Sequence, residues 1–343
     1  MMFSDSLRPP APFDPQAAAY KDWLHLNLLD HASGSVGLIN VSLHGAPRDP
    51  RSRAVGTALV HVPGLGWVGN LEIRGLDEAH IGRASIGLEQ VALAVDHPSD
   101  TLLASVRDPD NHLLVRVTAE MAAPPIIVEE QLPLGHGWIS WYVAPRLTVT
   151  GEWTVGQGQG DLSASSAYHD HNWGRWHWGD DLGWEWGCFL TPWTPSDRTK
   201  AASPPVAVVF SITTDRSHHR TGQPSLTIVA GRRRRTFRGP AIGFDYEGTL
   251  DMIERRIPGA LAALHQDHAH VRLPKRLTIQ ADDGLDCATL EFTGRSAAQL
   301  ITGDPMVRGY SFIHEIAGQF TCAGRLGGLE VSGSGLGVFE YVC

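Results

Sequence analysis

The stretch that decides the fold is Ala167–Trp186, which reads AYHDHNWGRWHWGDDLGWEW. Its tryptophans alternate with histidines and with Tyr168, Asp170 and Asn172, and nine of the eleven tryptophans of the chain fall between residues 138 and 193. Ordinary cores are built mostly from Leu, Ile, Val and Phe, because these side chains carry no polar atom that needs a partner. Tryptophan and histidine join a hydrogen-bonding group to a large apolar body. The stretch is therefore typical of a pocket wall.

Short strand-like runs flank this stretch on both sides, with Gly, Pro, Asn and Asp between them. The clearest runs are Val36–Leu43, Gly56–Val62, Trp67–Ile73, Val91–Val95, Leu113–Ala119, Ile126–Leu132, Val206–Thr213, Ser225–Ala230, Arg272–Gln280, Cys287–Phe292, Gly309–Ala317 and Phe320–Cys322. Their spacing predicts an all-β, antiparallel fold. Pro258–Gln266 is the best candidate for a short helix.

A Pro-, Ser- and Ala-rich segment, PWTPSDRTKAASPP at 192–205, reads as a linker. It predicts an N-terminal domain over 1–195 and a C-terminal domain over 205–343, as two barrels or as a barrel and a sandwich. Each half ends in a similar run of residues. Gly328–Val342 resembles Gly160–Asp170, and each run leads to an aromatic residue and an acid. This similarity indicates a duplicated unit. The Pro-rich residues 1–15 form an arm that is either frayed or ordered by contact.

The formal net charge of −9 argues against a nucleic-acid partner. The N-terminus has no apolar signal region and no 18-residue apolar run occurs, so we expect a cytoplasmic protein without an integral membrane segment. Four widely spaced cysteines have no metal-type spacing. The basic run Arg232–Arg235 is interpreted as a solvated hairpin tip, with a docking patch as the alternative.

Gly64–Gly69 reads GLGWVG, which fits the letters of a dinucleotide-binding loop. That loop must open a helix, whereas the residues that follow, NLEIRG, read as a strand. A Gly-rich hairpin is the better interpretation. The hydrolase elbow GxSxG, the P-loop and HExxH are all missing from the sequence.

A metal site is one interpretation of the histidines. His169 and His171 would share a face of a strand, and His177 and Glu185 would complete the ligand set. The cluster HQDHAH at 265–270 invites the same idea. No third ligand lies at a diagnostic spacing, so no metal and no cofactor are predicted.

A proton-transfer site fits the residues better. In an extended strand Tyr168, Asp170 and Asn172 face one way, while His169 and His171 face the other. The upstream GHGWISW places His136 and Trp138 at the same spacing, so neighbouring strands could bring both into one cavity with Asp170.

A carboxyl group walled by tryptophans is desolvated, which raises its pKa and keeps a proton available, while aromatic faces stabilise a developing cation. Such a site suits protonation of an alkene. The alternative is a structural polar belt, in which Asp170 is tied to Arg146 or Arg175.

The motif YHDHNWG, followed by the W-x-W-G of Trp176–Gly179, resembles the lipocalin-like hydroxyneurosporene synthase superfamily. Carotenoid 1,2-hydratases are its best-known members, and tocopherol cyclases and fungal lipocalin-like Diels–Alderases are distantly similar. The resemblance extends to a Trp-bearing first strand at Tyr20–Leu24, the Pro145-Arg146 step and a closing strand that ends in Glu340-Tyr341. It implies two lipocalin-like antiparallel β-barrels packed together, with an apolar ligand cavity.

The resemblance also implies roles. In the hydratases an aspartate similar to Asp170 is thought to protonate a terminal isoprene double bond, after which water captures the cation. Tyr168 looks like the tyrosine of that motif, and His136-Gly-Trp138 resembles an upstream His-x-Trp that assists or lines the site. The first strand of this chain, YKDWLH, lacks the paired tryptophans often seen there.

These observations predict a cofactor-independent enzyme that hydrates or cyclises an alkene in a hydrophobic isoprenoid or polyketide-like substrate. Asp170 is the expected general acid, and Tyr168 and His136 position it or relay its proton. The residues expected to bind substrate are Trp138, His171, Asn172, Trp173, Trp178 and Trp186. The alternatives are a pericyclase or isomerase acting on a polyene, in which Asp170 only hydrogen-bonds a carbonyl, and a non-catalytic carrier of an apolar ligand. The sequence leaves the oligomeric state open.

Overall fold

The structure is a computed structural model that describes residues 5–11, 14, 16–46, 49–163, 165–192, 204–219, 221–251, 253–258, 271–304 and 307–343. The chain divides into two compact units, Met1–His177 and Trp178–Cys343. Each unit is built on one curled, mostly antiparallel sheet, as expected for an all-β fold of two lipocalin-like units. None of the helices in these residues is long and apolar enough to cross a membrane.

The strands of the first unit are β1 Tyr20–Asp30, β2 Ser35–His44, β3 Arg53–Val62, β4 Gly66–Gly75, β5 His80–Ile81, β6 Ser85–Gly87, β7 Val91–Asp96, β8 Thr101–Asp108, β9 Leu113–Met121, β10 Ile126–Leu134, β11 Gly137–Val155, β12 Gly158–Asp161 and β13 Ser166–Arg175. Those of the second unit are β14 Gly183–Leu190, β15 Val206–Thr214, β16 Ser225–Ala230, β17 Arg233–Arg238, β18 Ile242–Thr249, β19 Ile253–Ile257, β20 Pro274–Asp282, β21 Cys287–Asp304, β22 Val307–Leu326 and β23 Leu329–Val342. Short 3₁₀ turns occur at Ala17–Ala19, Leu76–Glu78 and Gly239–Ala241.

The two sheets share one topology. The first runs β4-β3-β2-β1-β13-β11-β9-β8-β7-β6-β5, and the second runs β17-β16-β15-β14-β23-β22-β21-β20-β18. In each unit the last strand in sequence lies between the first strand of that unit and a long strand. This long strand is β11 in the first unit and β22 in the second. β13 and β23 therefore hold equivalent places, as expected if the unit is duplicated.

The boundary between the units differs from the predicted one. β14 was assigned to the N-terminal domain, yet it pairs with β15 and β23 and opens the second unit. The prediction of 1–195 and 205–343 was wrong because the sequence signal at 192–205 marks a long connection inside the second unit, between β14 and β15. Residues 193–203 of that segment lie outside the described residues, as do 259–270, which hold most of the predicted helix and the HQDHAH cluster.

Alternation builds the core of the first unit. On β1, Leu24, Leu26 and Leu28 are buried in one apolar cluster, which Ala144 of β11 and Ala167 of β13 join. We call this side of the three strands the core face. A void of about 10 Å³, close to the size of one water molecule, remains beside Leu28 in this cluster. The core of the second unit is aromatic and includes Phe189, Phe210, Phe292, Phe320 and Phe339.

Two motifs outside the candidate site are structural. GLGWVG forms the β3–β4 hairpin, in which Val62 pairs with Gly66, and it is followed by a strand as predicted. Arg232–Arg235 lies at the β16–β17 hairpin, where the side chain of Arg235 pairs with Asp283. The four cysteines are free thiols.

Candidate active site

Strand β13 carries the motif and lies between β1 and β11. Asp170 is opposite His25 on β1 and opposite Val143 on β11, and the pairing with β1 runs without a register shift. Because side chains alternate along a strand, Tyr168, Asp170 and Asn172 share the side opposite to the core face. We call this side the acid face.

The carboxyl group of Asp170 is held by its own strand. The Tyr168 hydroxyl donates a hydrogen bond of 2.8 Å to Asp170 Oδ2, and Asn172 Nδ2 donates one of 2.5 Å to Asp170 Oδ1. All three residues are buried. Such i, i+2 contacts follow from the extended backbone, which sets alternate side chains side by side. The arrangement is the one that the sequence predicts for these three residues.

Strand β1 adds a neutral histidine to the acid face. The amide nitrogens of Asn27 and Asn40 lie 2.9 Å from Nε2 and 3.3 Å from Nδ1 of His25. Burial lowers the pKa of His25 to about 3, and the nearby charge of His169 acts in the same direction. His25 is therefore neutral at physiological pH. It adds no positive charge beside the carboxyl group, and a cationic neighbour would have favoured loss of the acid's proton.

Tryptophans flank this polar row. The register sets Trp23 of β1 and Trp141 of β11 opposite Asn172, one on either side. Trp23 meets Trp176 edge-on, with ring centroids 5.1 Å apart. The buried Lys21 ammonium lies 5.1 Å from the Trp176 ring centroid and donates to the Trp176 carbonyl, which fixes the end of β13. Tryptophans therefore occupy the positions that flank Asn172 on both neighbouring strands.

The core face of β13 carries a different group, a buried ionic cluster. His169 Nε2 lies 3.0 Å from Asp5 Oδ2, and its Nδ1 lies 2.8 Å from the His25 carbonyl oxygen. His171 contacts Asp5 through Nδ1 and Asp22 Oδ1 through Nε2, the latter at 2.7 Å. Each nitrogen of both rings faces an oxygen acceptor. Each ring nitrogen of a protonated His171 therefore donates to a carboxyl oxygen.

The pKa values of the cluster follow from these contacts. Burial would lower the pKa of His171, but hydrogen bonds and charge from Asp22 and Asp5 outweigh it and raise the pKa to about 9. Burial opposes ionisation of Asp5, yet His169 and His171 hold its pKa well below the usual range. His171 and Asp5 are therefore both charged at neutral pH, and their contact anchors the arm to β13.

The arm itself is ordered by contact where it is described. Arg8 N donates to Asp22 Oδ2 over 2.6 Å, and the Arg8 guanidinium lies 3.9 Å from the centroid of the Trp173 ring. The Tyr20 hydroxyl donates to the Arg8 carbonyl oxygen. These contacts hold residues 5–8 against the core-face end of the sheet.

Several predicted site residues lie elsewhere. His136 is exposed in the β10–β11 turn, and Trp138 is opposite Arg175, five residues along β11 from Val143. Val143 lies on the acid face, and a residue an odd number of positions away on the same strand points to the opposite face, so Trp138 lies on the core face. The prediction that His136 and Trp138 join Asp170 in one cavity was therefore wrong.

His171 and Trp173 also belong to the core face, His171 in the ionic cluster and Trp173 packed with Trp138 in an aromatic group. Trp178 and Trp186 belong to the second unit, where the Trp178 ring lies 5.8 Å from that of Trp184.

The proposed metal ligands are engaged in other contacts. His169 and His171 bind carboxylates, and Glu185 of the second unit accepts from the Tyr246 hydroxyl over 2.5 Å and contacts His218 Nδ1 at 2.9 Å. Within the part of the chain that the structure describes, no group of three His, Cys, Asp or Glu side chains is arranged to hold a metal ion.

Sequence reasoning missed His25, Asn27, Trp141 and the acidic partners of the histidines. A signal for the first two exists, because YKDWLHLN places Lys21, Trp23, His25 and Asn27 at alternate positions and hence on one face. What no local pattern shows is that this strand pairs with β13, about 145 residues further along the chain.

No protein-family model and no curated protein sequence matches the chain. Solved structures do. An AttH candidate from Nitrosomonas europaea is similar with a TM-score of 0.66 at 13% identity, and 98% of each chain is covered. Kievitone hydratase from Nectria haematococca gives 0.60 at 14% identity, covering 96% of this chain and 91% of that one.

CghA with Sch210972 also gives a TM-score of 0.60, at 11% identity, covering 98% of this chain and 94% of that one. Sequence identities this low establish a shared fold and not a shared activity. The matches confirm the predicted lipocalin-like fold.

Proposed function

We propose that the protein is a cofactor-independent enzyme that adds a proton to an alkene and so hydrates or cyclises a hydrophobic isoprenoid or polyketide-like substrate. The observation that carries the proposal is the acid face of β13. There a buried carboxyl group, Asp170, is oriented by Tyr168 and Asn172. Tryptophans stand at neighbouring positions of the same face.

The geometry suits a general acid. Each Asp170 oxygen accepts one hydrogen bond from its own strand, which fixes the orientation of the carboxyl group. The neutral His25 opposite Asp170 adds no positive charge that would favour loss of its proton. The protonated carboxyl group gives its proton to one alkene carbon, and the electron pair of the double bond forms the new C–H bond.

The adjacent carbon then carries a positive charge. Indole faces attract cations, at about 0.5–2 kcal/mol for each favourable contact. We assign this task to Trp23, Trp141 and Trp176, because they occupy the acid face or border it. Water or an internal nucleophile captures the cation, which gives an alcohol or a ring.

The shared fold is compatible with this reaction class, since one of the similar structures is named a hydratase. A pericyclase, in which Asp170 only hydrogen-bonds a carbonyl, and a carrier remain the competing functions. Both differ from the proposal in one respect: neither transfers a proton from solvent to a substrate carbon.

The test is the turnover of Asp170→Asn against wild type, with Asp110→Asn as the control. Asp110 is an exposed loop aspartate, so its variant removes the same charge far from the acid face. The probes are geraniol, geranylgeraniol and lycopene, together with any apolar compound extracted from the freshly purified protein. General acids contribute roughly 10²–10⁴-fold, so Asp170→Asn should lose at least about 100-fold while Asp110→Asn keeps wild-type turnover. Turnover of Asp170→Asn within about threefold of wild type would refute the acid role.

A further inference from the structure

The side chain of Asn172 has two ends, and only one of them is explained by its contact with Asp170. Its Nδ2 donates to Asp170 Oδ1 over 2.5 Å. Its Oδ1 is buried and accepts no hydrogen bond from any residue that the structure describes. The residue as a whole is 3% exposed.

An unsatisfied buried acceptor is costly, at about 1–3 kcal/mol, and native proteins pair more than about 90% of such groups with protein or ordered water. Turning the amide over would not pair both of its ends. The flipped amide would aim its oxygen at the carboxyl group of Asp170, where it would face a second acceptor whenever Asp170 is ionised, and it would leave Nδ2, a donor, in the place of Oδ1. The position of Oδ1 therefore calls for an O–H or N–H donor that is not part of the described chain.

The location of this donor is set by the amide. With Nδ2 fixed on Asp170, a donor bound to Oδ1 at ordinary hydrogen-bond length lies on the order of 5 Å from the Asp170 carboxyl oxygen. Two oxygens that flank a double bond, each at a near-attack distance of roughly 3–3.5 Å, are separated by a similar span. Trp23 and Trp141 stand opposite Asn172 on its two sides and leave an apolar surround.

We propose that Asn172 Oδ1 positions the O–H group that captures the cation, either a water molecule or a hydroxyl group of the substrate. The inference rests on the proposed function, because it assigns the second half of the same addition. Asn172 is on this account a positioning residue for the nucleophile and a specificity-determining residue for a hydroxylated product.

The chemistry balances without any co-reactant. The Asp170 O–H bond breaks as the new C–H bond forms. The oxygen held by Asn172 then bonds to the adjacent carbon, and its surplus proton returns to the Asp170 carboxylate. The net change is addition of H and OH across the double bond, or of H and OR when a substrate hydroxyl is the nucleophile.

The first test is a crystal structure of the ligand-free protein at a resolution that shows ordered water. We expect a water molecule within hydrogen-bond distance of Asn172 Oδ1 in wild type and its loss in Asn172→Leu, whose side chain has a similar volume. An anhydrous, empty space at Oδ1 in wild type would overturn the inference, whatever the activity proves to be.

The second test separates nucleophile positioning from support of Asp170. Reactions of the probe alkenes in D₂O enriched in ¹⁸O give two readouts, deuterium at carbon and ¹⁸O in the alcohol. Asn172→Leu should still deuterate the alkene but should lower the ratio of ¹⁸O-alcohol to deuterated alkene at least tenfold, because an uncaptured cation loses a proton instead. A deuterated cyclic ether without ¹⁸O identifies a substrate hydroxyl as the nucleophile.

Tyr168→Phe is the matched control, since it removes the other hydrogen bond to Asp170 and leaves Asn172 in place. It should slow the reaction and leave the product ratio unchanged. If Asn172→Leu behaves in the same way, Asn172 only supports the acid and the inference fails. If wild type places no deuterium at carbon, the proposed function fails and the assignment of a cation-capturing nucleophile fails with it. If wild type deuterates the alkene but no water lies at Asn172 Oδ1, only the inference about Asn172 fails.

Discussion

The contacts of His171 in the ionic cluster predict how the free energy of unfolding changes with pH. The pKa of His171 is raised from 6.5 to about 9 in the folded protein by Asp22 and Asp5. A group with a raised pKa stabilises the fold fully below its unfolded pKa, and the stabilisation is lost as the pH rises through the folded pKa. The window is therefore pH 6.5 to 9. At 1.36 kcal/mol per unit, the protonated His171 contributes about 3 kcal/mol, of which about 2 kcal/mol is lost between pH 6.5 and 8.5.

The perturbation is His171→Gln, and the assay is urea unfolding at pH 6.5, 7.5 and 8.5. The difference in unfolding free energy between wild type and variant should shrink by about 2 kcal/mol across this range. This difference cancels the contributions to the unfolding free energy from groups that titrate equally in wild type and variant. His314→Gln is the control, because burial lowers the pKa of His314 to about 4 and leaves that ring neutral in the whole range. Equal pH slopes for wild type and His171→Gln would refute the assignment of a protonated His171.

Three further variants test the local structure by urea unfolding at one pH. Gly69→Ala should destabilise the protein by more than about 2 kcal/mol, because Gly69 has φ +128° and an added Cβ would lie 1.9 Å from the Ala58 carbonyl oxygen. Gly64→Ala should destabilise it by only about 1 kcal/mol, because Gly64 has φ +83° and an added Cβ would meet no atom within 4 Å. Equal losses of stability in the two variants would contradict this explanation of the hairpin. Tyr246→Phe removes a 2.5 Å hydrogen bond to the buried Glu185 and should destabilise the second unit by about 1–3 kcal/mol, and an unchanged unfolding midpoint would show that this contact is not made.

The sequence was sufficient for features that depend on local periodicity. Alternation along AYHDHNWGR placed Tyr168, Asp170 and Asn172 on one face, and the structure joins these three by hydrogen bonds. The strand-like residues after GLGWVG identified it as a hairpin, and the similarity between Gly160–Asp170 and Gly328–Val342 identified β13 and β23 as equivalent strands. Each of these conclusions needs only a local stretch of sequence or the comparison of two such stretches.

Features that depend on register between distant strands could not be predicted. Trp138 and Val143 are separated by five residues on β11, and only the pairing partner decides which of them shares a face with Asp170. The arm of residues 5–8 carries no periodic signal, so the partners of His169 and His171 became visible only in three dimensions. Histidines that resembled metal ligands instead contact the buried carboxyl groups of Asp5 and Asp22.

The most direct test of the central claim is solvent deuterium incorporation by wild type and by Asp170→Asn, measured by mass spectrometry on the probe alkenes and on any extracted ligand. The account predicts one deuterium at carbon per product molecule with wild type, and a loss of at least about 100-fold in its rate with Asp170→Asn. A product formed by wild type without deuterium at carbon would contradict it and would indicate a concerted pericyclic reaction. A ligand that binds and is recovered unchanged from both proteins would contradict it in favour of a carrier.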